Sequence, residues 1–186
     1  MKQPQQHRIR DLIERMSRLN SADDWSDTLN PTQWAALSYL SQANRFSRAP
    51  SQVAEFMSAT RGTVSQTLKA LARKEFITEV RSTTDRRWIS YDVTTKGIDI
   101  LDGTKTIDDA LQGIDASTIA SLEDGLESML RKALELRGRK QFGQCQNCKY
   151  HRKEKTGGHC ELLNEALKSN ETRQICHEYL EPSNHA

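Results

Sequence analysis

The chain has 186 residues, 35% hydrophobic and 28% charged, with a formal net charge of +2. That is room for one domain and an appendage, with too little apolar material for a thick core unless a partner surface buries some of it. No apolar run approaches the roughly 20 residues that span a bilayer, and the N-terminal MKQPQQHRIR lacks the apolar core of a signal peptide, so the expectation is a cytoplasmic protein without membrane contact.

The first element in chain order is a helix over Gln5 to Leu19, with Ile9, Leu12, Ile13, Met16 and Leu19 on one stripe. A connector is expected from Asn20 to Leu29. The next helix has a clear start: Asn30 as cap, Pro31 in the first turn and Gln33 to reach back. Leu29 and Trp34 occupy hydrophobic-staple positions, and Leu37 and Leu40 continue the core face. Pro50-Ser51 opens a third helix through Val53, Ala54 and Met57. After a turn at Ser58-Ala59, Thr60 caps a fourth helix that runs to about Lys74. Two strands follow, Phe76 to Val80 and Arg87 to Val93, joined by a polar tip; Ile89, Tyr91 and Val93 alternate with Ser90 and Asp92. Thr94 caps a helix through Ile98 and Leu101. Asp115 or Ser117 starts a long helix with Ile119, Leu122, Leu126, Met129, Leu130, Ala133 and Leu136 on one face. Gly138 to Gly143 reads as a basic linker.

Helix, helix, tight turn, helix and hairpin is the order of a winged helix-turn-helix, so the expected fold class is mainly α with a small β-hairpin wing. In the fourth helix Val64, Leu68 and Leu71 face inward, which leaves Arg61, Gly62, Ser65, Gln66 and Lys69 outward. Arg suits guanine and Gln suits adenine in a major groove, while Thr63 and Ser65 suit bases or phosphates. Arg86 and Arg87 at the tip suit a narrow minor groove. The charge agrees: Arg45 to Lys96 holds ten Lys or Arg against five Asp or Glu, whereas acids dominate from Asp99 to Asp124. A basic zone of that kind attracts phosphates. Packing against protein instead is the bland alternative for a winged helix, and the outward Arg, Gln and Lys set argues against it.

The stretches LNPTQWAALSYL, PSQVAEFM, TRGTVSQTLKALARKEFI, TTDRRW and VTTKG resemble the MarR family of bacterial regulators, over roughly Gln5 to Leu136. The resemblance implies a homodimer on a pseudo-palindromic double-stranded DNA operator. The first helix and the long Ser117 to Arg137 helix would interlock with the partner. It also maps the wing's Asp-Arg pair onto Asp85 and Arg86 or Arg87. Whether the small-molecule pocket found in that family is kept stays open.

All four cysteines fall in the last 42 residues, as Cys145-x2-Cys148-x11-Cys160-x15-Cys176. The expected division is 1–140 for the DNA-binding and dimerisation domain and 141–186 for a metal-binding extension. In a reducing compartment four clustered thiols read as metal ligands, and a segment this poor in apolar residues needs a metal to hold it. Zinc prefers paired C-x-x-C knuckles; only Cys145 and Cys148 make one, and a helix-like stretch separates Cys160 from Cys176. The segment from Cys145 to Pro182 resembles the small high-potential-type iron–sulfur fold, although its length and the basic run Arg152 to Lys155 depart from that fold. The resemblance favours one [4Fe–4S] cluster per subunit on Cys145, Cys148, Cys160 and Cys176, with a structural Zn2+ as the alternative and a bare thiol switch or disulfide as the remaining reading. His151, His159 and His177 read as neighbours of the ligands.

The expected function is a transcription regulator, of repressor type, whose cluster senses iron or redox state. A regulator with structural zinc and no sensing is the second reading. An electron carrier is the third. Catalysis has no support in the sequence, which lacks a Gly-rich phosphate loop, HExxH and G-x-S-x-G.

Overall fold

The computed structural model describes residues 4–24, 28–81, 88–102 and 106–182. Among them are helices α1 (Gln5–Asp23), α2 (Pro31–Gln42), α3 (Pro50–Phe56), α4 (Arg61–Arg73), α5 (Thr95–Leu101), α6 (Thr106–Gln112) and α7 (Ala116–Leu136). Strands β1 (Ile77–Arg81) and β2 (Ile89–Val93) form the wing. The short strands β3 (Gly143–Gln144), β4 (His151–Lys153), β5 (Gly158–Cys160), β6 (Glu165–Leu167) and β7 (Ile175–Cys176) belong to the extension.

Local chemistry sets the helix starts. Asn30 accepts from the Gln33 amide at 2.9 Å while Gln33 Oε1 accepts from the Asn30 amide at 3.4 Å, with Pro31 in the first turn. This reciprocal pair satisfies two otherwise orphan donors. Thr60 accepts from Thr63 at the start of α4, Thr94 from Gly97 at the start of α5, and Asp115 from Thr118 at the start of α7. The three bonds to Asp115 from Ser117 and Thr118 hold its carboxyl well below the usual carboxylate range. Helix α4 ends where Glu75 turns left-handed at φ 65°, and the Phe76 amide reaches back to the Leu71 carbonyl at 3.1 Å.

The core of the body is a single cluster. Leu37 and Leu40 of α2, Val53 of α3, Val64, Leu68 and Leu71 of α4, and Phe76, Ile77 and Tyr91 of the wing meet there with Leu29. β1 and β2 pair antiparallel from Ile77↔Val93 to Arg81↔Ile89. The segment Thr94–Gly97 ties α5 to this unit. Thr94 Oγ1 donates to the Glu75 carbonyl at 2.7 Å and Lys96 Nζ to the Lys74 carbonyl at 2.8 Å. A Cβ on Gly97 would stand 2.2 Å from the Phe76 carbonyl oxygen, so only glycine fits that crossing.

Helices α1 and α7 are built differently. Neither contains a buried residue. Ile9, Leu12, Ile13, Met16 and Leu19 on α1, and Leu122, Leu126, Met129 and Leu130 on α7, are all at least 38% exposed. These are amphipathic stripes with their apolar sides to solvent.

Three expectations are corrected. The connector begins later than Asn20, because α1 continues to Asp23. Helix α6 occupies residues for which the periodicity gave no element; it packs on α1, and its first amide, Thr106 N, donates to the Asp23 carboxylate at 3.0 Å. Between Cys160 and Cys176 the chain forms β6 and one short 3-10 turn over Glu171–Arg173 in place of a helix, with Asn164 left-handed at φ 53° between β5 and β6. No described helix is long and apolar enough to cross a membrane.

Candidate nucleic-acid interface and four-cysteine centre

The outer surface of α4 follows from the inner one. Val64, Thr67, Leu68 and Leu71 are buried, so Arg61, Gly62, Thr63, Gln66 and Lys69 stand exposed and Ser65 is half-buried. Thr63 is also tied to the cap, its hydroxyl 2.9 Å from Thr60 Oγ1. Much of the basic zone is committed inside the fold. Arg48 pairs with Asp92 at 2.6 Å, Arg81 with Glu79 at 2.8 Å, and Lys74 Nζ with Gln33 Oε1 at 2.9 Å. Of the expected reading residues, Arg61, Thr63, Ser65, Gln66 and Lys69 share one helix, whereas Asp85, Arg86 and Arg87 lie outside the described residues.

The four cysteines, up to 31 residues apart in sequence, surround one small cleft. Cys145 opens a 3-10 turn and Cys148 directly follows it; Cys160 ends β5, opposite His151 and Glu165; Cys176 ends β7, opposite Gly143. The cleft encloses only about 10 Å3 and is completed by Tyr150, His151, Leu162, Leu167 and Glu178. None of the four thiols is in a disulfide. Cys145 and Cys176 are buried. Hydrogen bonding between these two thiols stabilises one thiolate at the expense of the other: the contact pushes Cys176 down to about 6 and, with burial, pushes Cys145 up. Two N–H donors also reach the sulfurs, Asn44 Nδ2 to Cys145 at 3.2 Å and the Leu180 amide to Cys148 at 3.5 Å. Among the described residues no three His, Cys, Asp or Glu side chains converge closely enough to share a single metal ion.

The histidines have separate surroundings. His151 lines the cleft, His159 Nε2 lies 3.3 Å from Asn164 Oδ1, and the His177 ring lies against Gln52 and Glu178.

The extension does not hang from a free linker. Phe142 packs edge-on to Tyr39 and Phe56, which stack on each other with centroids 4.3 Å apart. Phe46 of the body packs in return against Cys145, Leu167 and Cys176. Between them the α2–α3 connection is gripped side chain by side chain. Ala43 bridges Ile175, and the Asn44 amide donates to the Ile175 carbonyl at 2.9 Å. Arg45 pairs with Glu171 and donates to the Ala166 carbonyl at 2.9 Å. Burial would raise the Glu171 carboxyl, but the Lys168 amide and Arg45 outweigh it and hold it low. Asn44, Arg45, Ser47 and Gln52 are absent from the sequence-derived set, because their partners lie more than a hundred residues away and no local pattern signals them.

A model of the MarR family matches residues 27–87. That match ends before the extension. No curated protein matches the chain. Among solved structures, MepR of Staphylococcus aureus in its DNA-binding conformation aligns at 20% identity and a TM-score of 0.57, covering 70% of this chain and 99% of MepR. The S. aureus MepR–DNA complex aligns at 20% identity with a TM-score of 0.56 over the same shares. Streptococcus pneumoniae FabT in complex with DNA aligns at 24% identity and 0.54, covering 70% of this chain and 98% of FabT. The likeness establishes the fold, a mainly helical winged helix with a β-hairpin.

Proposed function

We propose that the protein is a sequence-specific DNA-binding transcription regulator, of repressor type, acting as a homodimer on a pseudo-palindromic operator. In this reading Cys145, Cys148, Cys160 and Cys176 hold one [4Fe–4S] cluster per subunit that reports iron or redox state. The observation that carries the DNA half is the outer row of α4: Arg61, Thr63, Gln66 and Lys69 stand exposed on a helix whose other side is locked into the core. A rigid helix presenting donors and cations from its N-terminal half is what major-groove readout requires. The matching of residues 27–87 to the MarR family, and the DNA complexes of MepR and FabT, support the same reading. The exposed stripes of α1 and α7 support the homodimer, since contiguous apolar surface of that extent marks an interface.

For the cofactor, the donor set fits. Four thiols line one cleft walled by Leu162, Leu167 and Tyr150, and two N–H groups point at the sulfurs. Such a cluster, when bound, supplies a redox-active iron centre whose potential depends on N–H···S bonds and burial. The chain's own part is to hold the thiolates, to keep water out with the leucines and Tyr150, and to donate from Asn44 and Leu180. A mononuclear zinc site would draw four sulfurs to within about 2.3 Å of one ion, whereas among the described residues no three such side chains converge on a single point.

Anaerobically purified protein is expected to be brown, with about four iron and four sulfide per chain. Colourless protein with one zinc per chain would defeat the cluster. The same material should select a discrete sequence with two half-sites from a random DNA pool, and stripping the cluster should change affinity for it several-fold. Failure to select any sequence would defeat the regulator reading, and equal affinities of both forms would defeat sensing alone.

A further inference from the structure

Besides the packing of Phe142 on Tyr39 and Phe56, two contacts among the described residues join the extension to the rest of the chain and differ in strength. On α7 the contact is the ion pair Arg131–Glu181 at 3.0 Å, between side chains 49% and 44% exposed. Exposed pairs of that kind contribute little and are screened by salt. At the α2–α3 connection the contacts are buried and interlocked. Asn44 is 1% exposed and its side chain is fully engaged. Its Nδ2 donates to Cys145 Sγ at 3.2 Å, while its Oδ1 accepts from the Phe46 amide at 3.1 Å and from Ser47 Oγ at 2.7 Å. Ser47 Oγ in turn accepts from the amide of His177, the residue after Cys176, at 2.9 Å. Gln52 Nε2 lies 3.0 Å from His177 Nδ1 and donates to the Phe46 carbonyl, and its Oε1 caps the start of α3 through the Ala49 amide at 2.7 Å.

Two of the four thiol-bearing residues are therefore wired, through one amide side chain and one hydroxyl, to the segment that starts α3. Helix α3 packs directly on α4, whose outer row is the proposed reader. A change in the position of Cys145 or of the residue after Cys176 therefore removes a partner from a buried side chain that has no room to find water instead.

We infer that occupancy of the four-cysteine centre sets the order of the α2–α3 connection within the same subunit, with Asn44 as the positioning residue that carries the coupling. This rests on the proposed regulator with a ligated centre.

The test is hydrogen exchange on the full chain in two forms. One is loaded with ferrous iron and sulfide under argon; the other is stripped with EDTA and ferricyanide. Amides in 43–53 should exchange at least about tenfold faster after stripping, and those in 122–130 should not change. Unchanged exchange in 43–53, or a change confined to α7, overturns the inference. Asn44→Asp keeps an acceptor for Phe46 and Ser47 and removes the donor to Cys145. It should show fast exchange in 43–53 even when its iron content equals that of the parent, and full protection in that loaded variant overturns the role of Asn44. If Asn44→Asp does not load, Arg45→Ala serves: it should load and lose part of the protection in 43–53, whereas protection equal to the parent counts against the coupling. Operator affinity separates the two readings. Loosening of 43–53 without a change in affinity leaves the coupling standing and removes sensing; a change in affinity without loosening does the reverse.

Discussion

In the winged-helix body fourteen buried apolar residues, from Leu29 to Tyr91, pack into one cluster; in the extension the buried apolar set is Leu167 and two cysteines. The body is held by area removed from water, at roughly 25 cal/mol per Å2. The extension has strands of two or three residues and fills its gap with Phe46, a side chain of the body. Its shape depends on the surface it leans against and, on the proposed reading, on what the thiols bind. If the proposed ligation holds, the same chain contains a unit specified by hydrophobic periodicity and a unit specified by ligation, and the two should fail in different ways.

The largest separation should come from removing the centre. Cys145→Ser with Cys176→Ser, or chelation of the parent protein, should unfold the extension and leave the body intact. Trypsin should then cut between residues 149 and 173 at least about tenfold faster, while the helical circular dichroism of α2 to α4 persists. Cooperative loss of both signals would show that the body depends on the metal too. Next, Leu68→Ala in the body should cost about 2–5 kcal/mol, read by urea melting, since Leu68 is 1% exposed at the centre of the cluster. A loss below about 1 kcal/mol would mean that the body draws its stability from elsewhere.

Smaller effects should come from the surface of α4. Gln66→Ala should cost about 1–3 kcal/mol against the selected operator and relax one base position; Lys69→Ala should weaken all sequences alike and reduce the salt slope by about one. If both substitutions leave binding unchanged, α4 is not the reader. The smallest is Asn30→Ala at the start of α2, expected to cost about 1 kcal/mol in urea melting without altering metal content. A fall in metal content would mean that the cap and the centre are not independent.

The body was legible in the sequence because its signals are local. Asn30, Pro31 and Gln33 form the expected capping box, Thr60, Thr94 and Asp115 cap as expected, and the spacing of Val64, Leu68 and Leu71 placed the outer row of α4. Where the reading fell short, the controlling contact is distant. The start of α6 is satisfied by Asp23, 83 residues away, and nothing between residues 101 and 113 announces that. Residues 161–175 have apolar spacing suited to a helix, yet Leu167 turns into the cysteine cluster and Glu171 is taken by Arg45. The basic count over Arg45 to Lys96 also overstated the surface available to phosphates, because Arg45 and Arg48 are held by carboxylates. For the centre, spacing brought out the four cysteines; that Asn44 would reach Cys145 across 101 positions was beyond any pattern.

The ring of Phe142 against Tyr39 and Phe56 has a practical consequence for anyone wishing to use the winged-helix body alone. A gene truncated after codon 140 would encode every helix and both wing strands, yet would leave the aromatic pair without its lid and the α2–α3 connection without Ile175. Such a fragment should keep its helices yet carry exposed aromatic surface, and one extended through Phe142 should be the more soluble of the two.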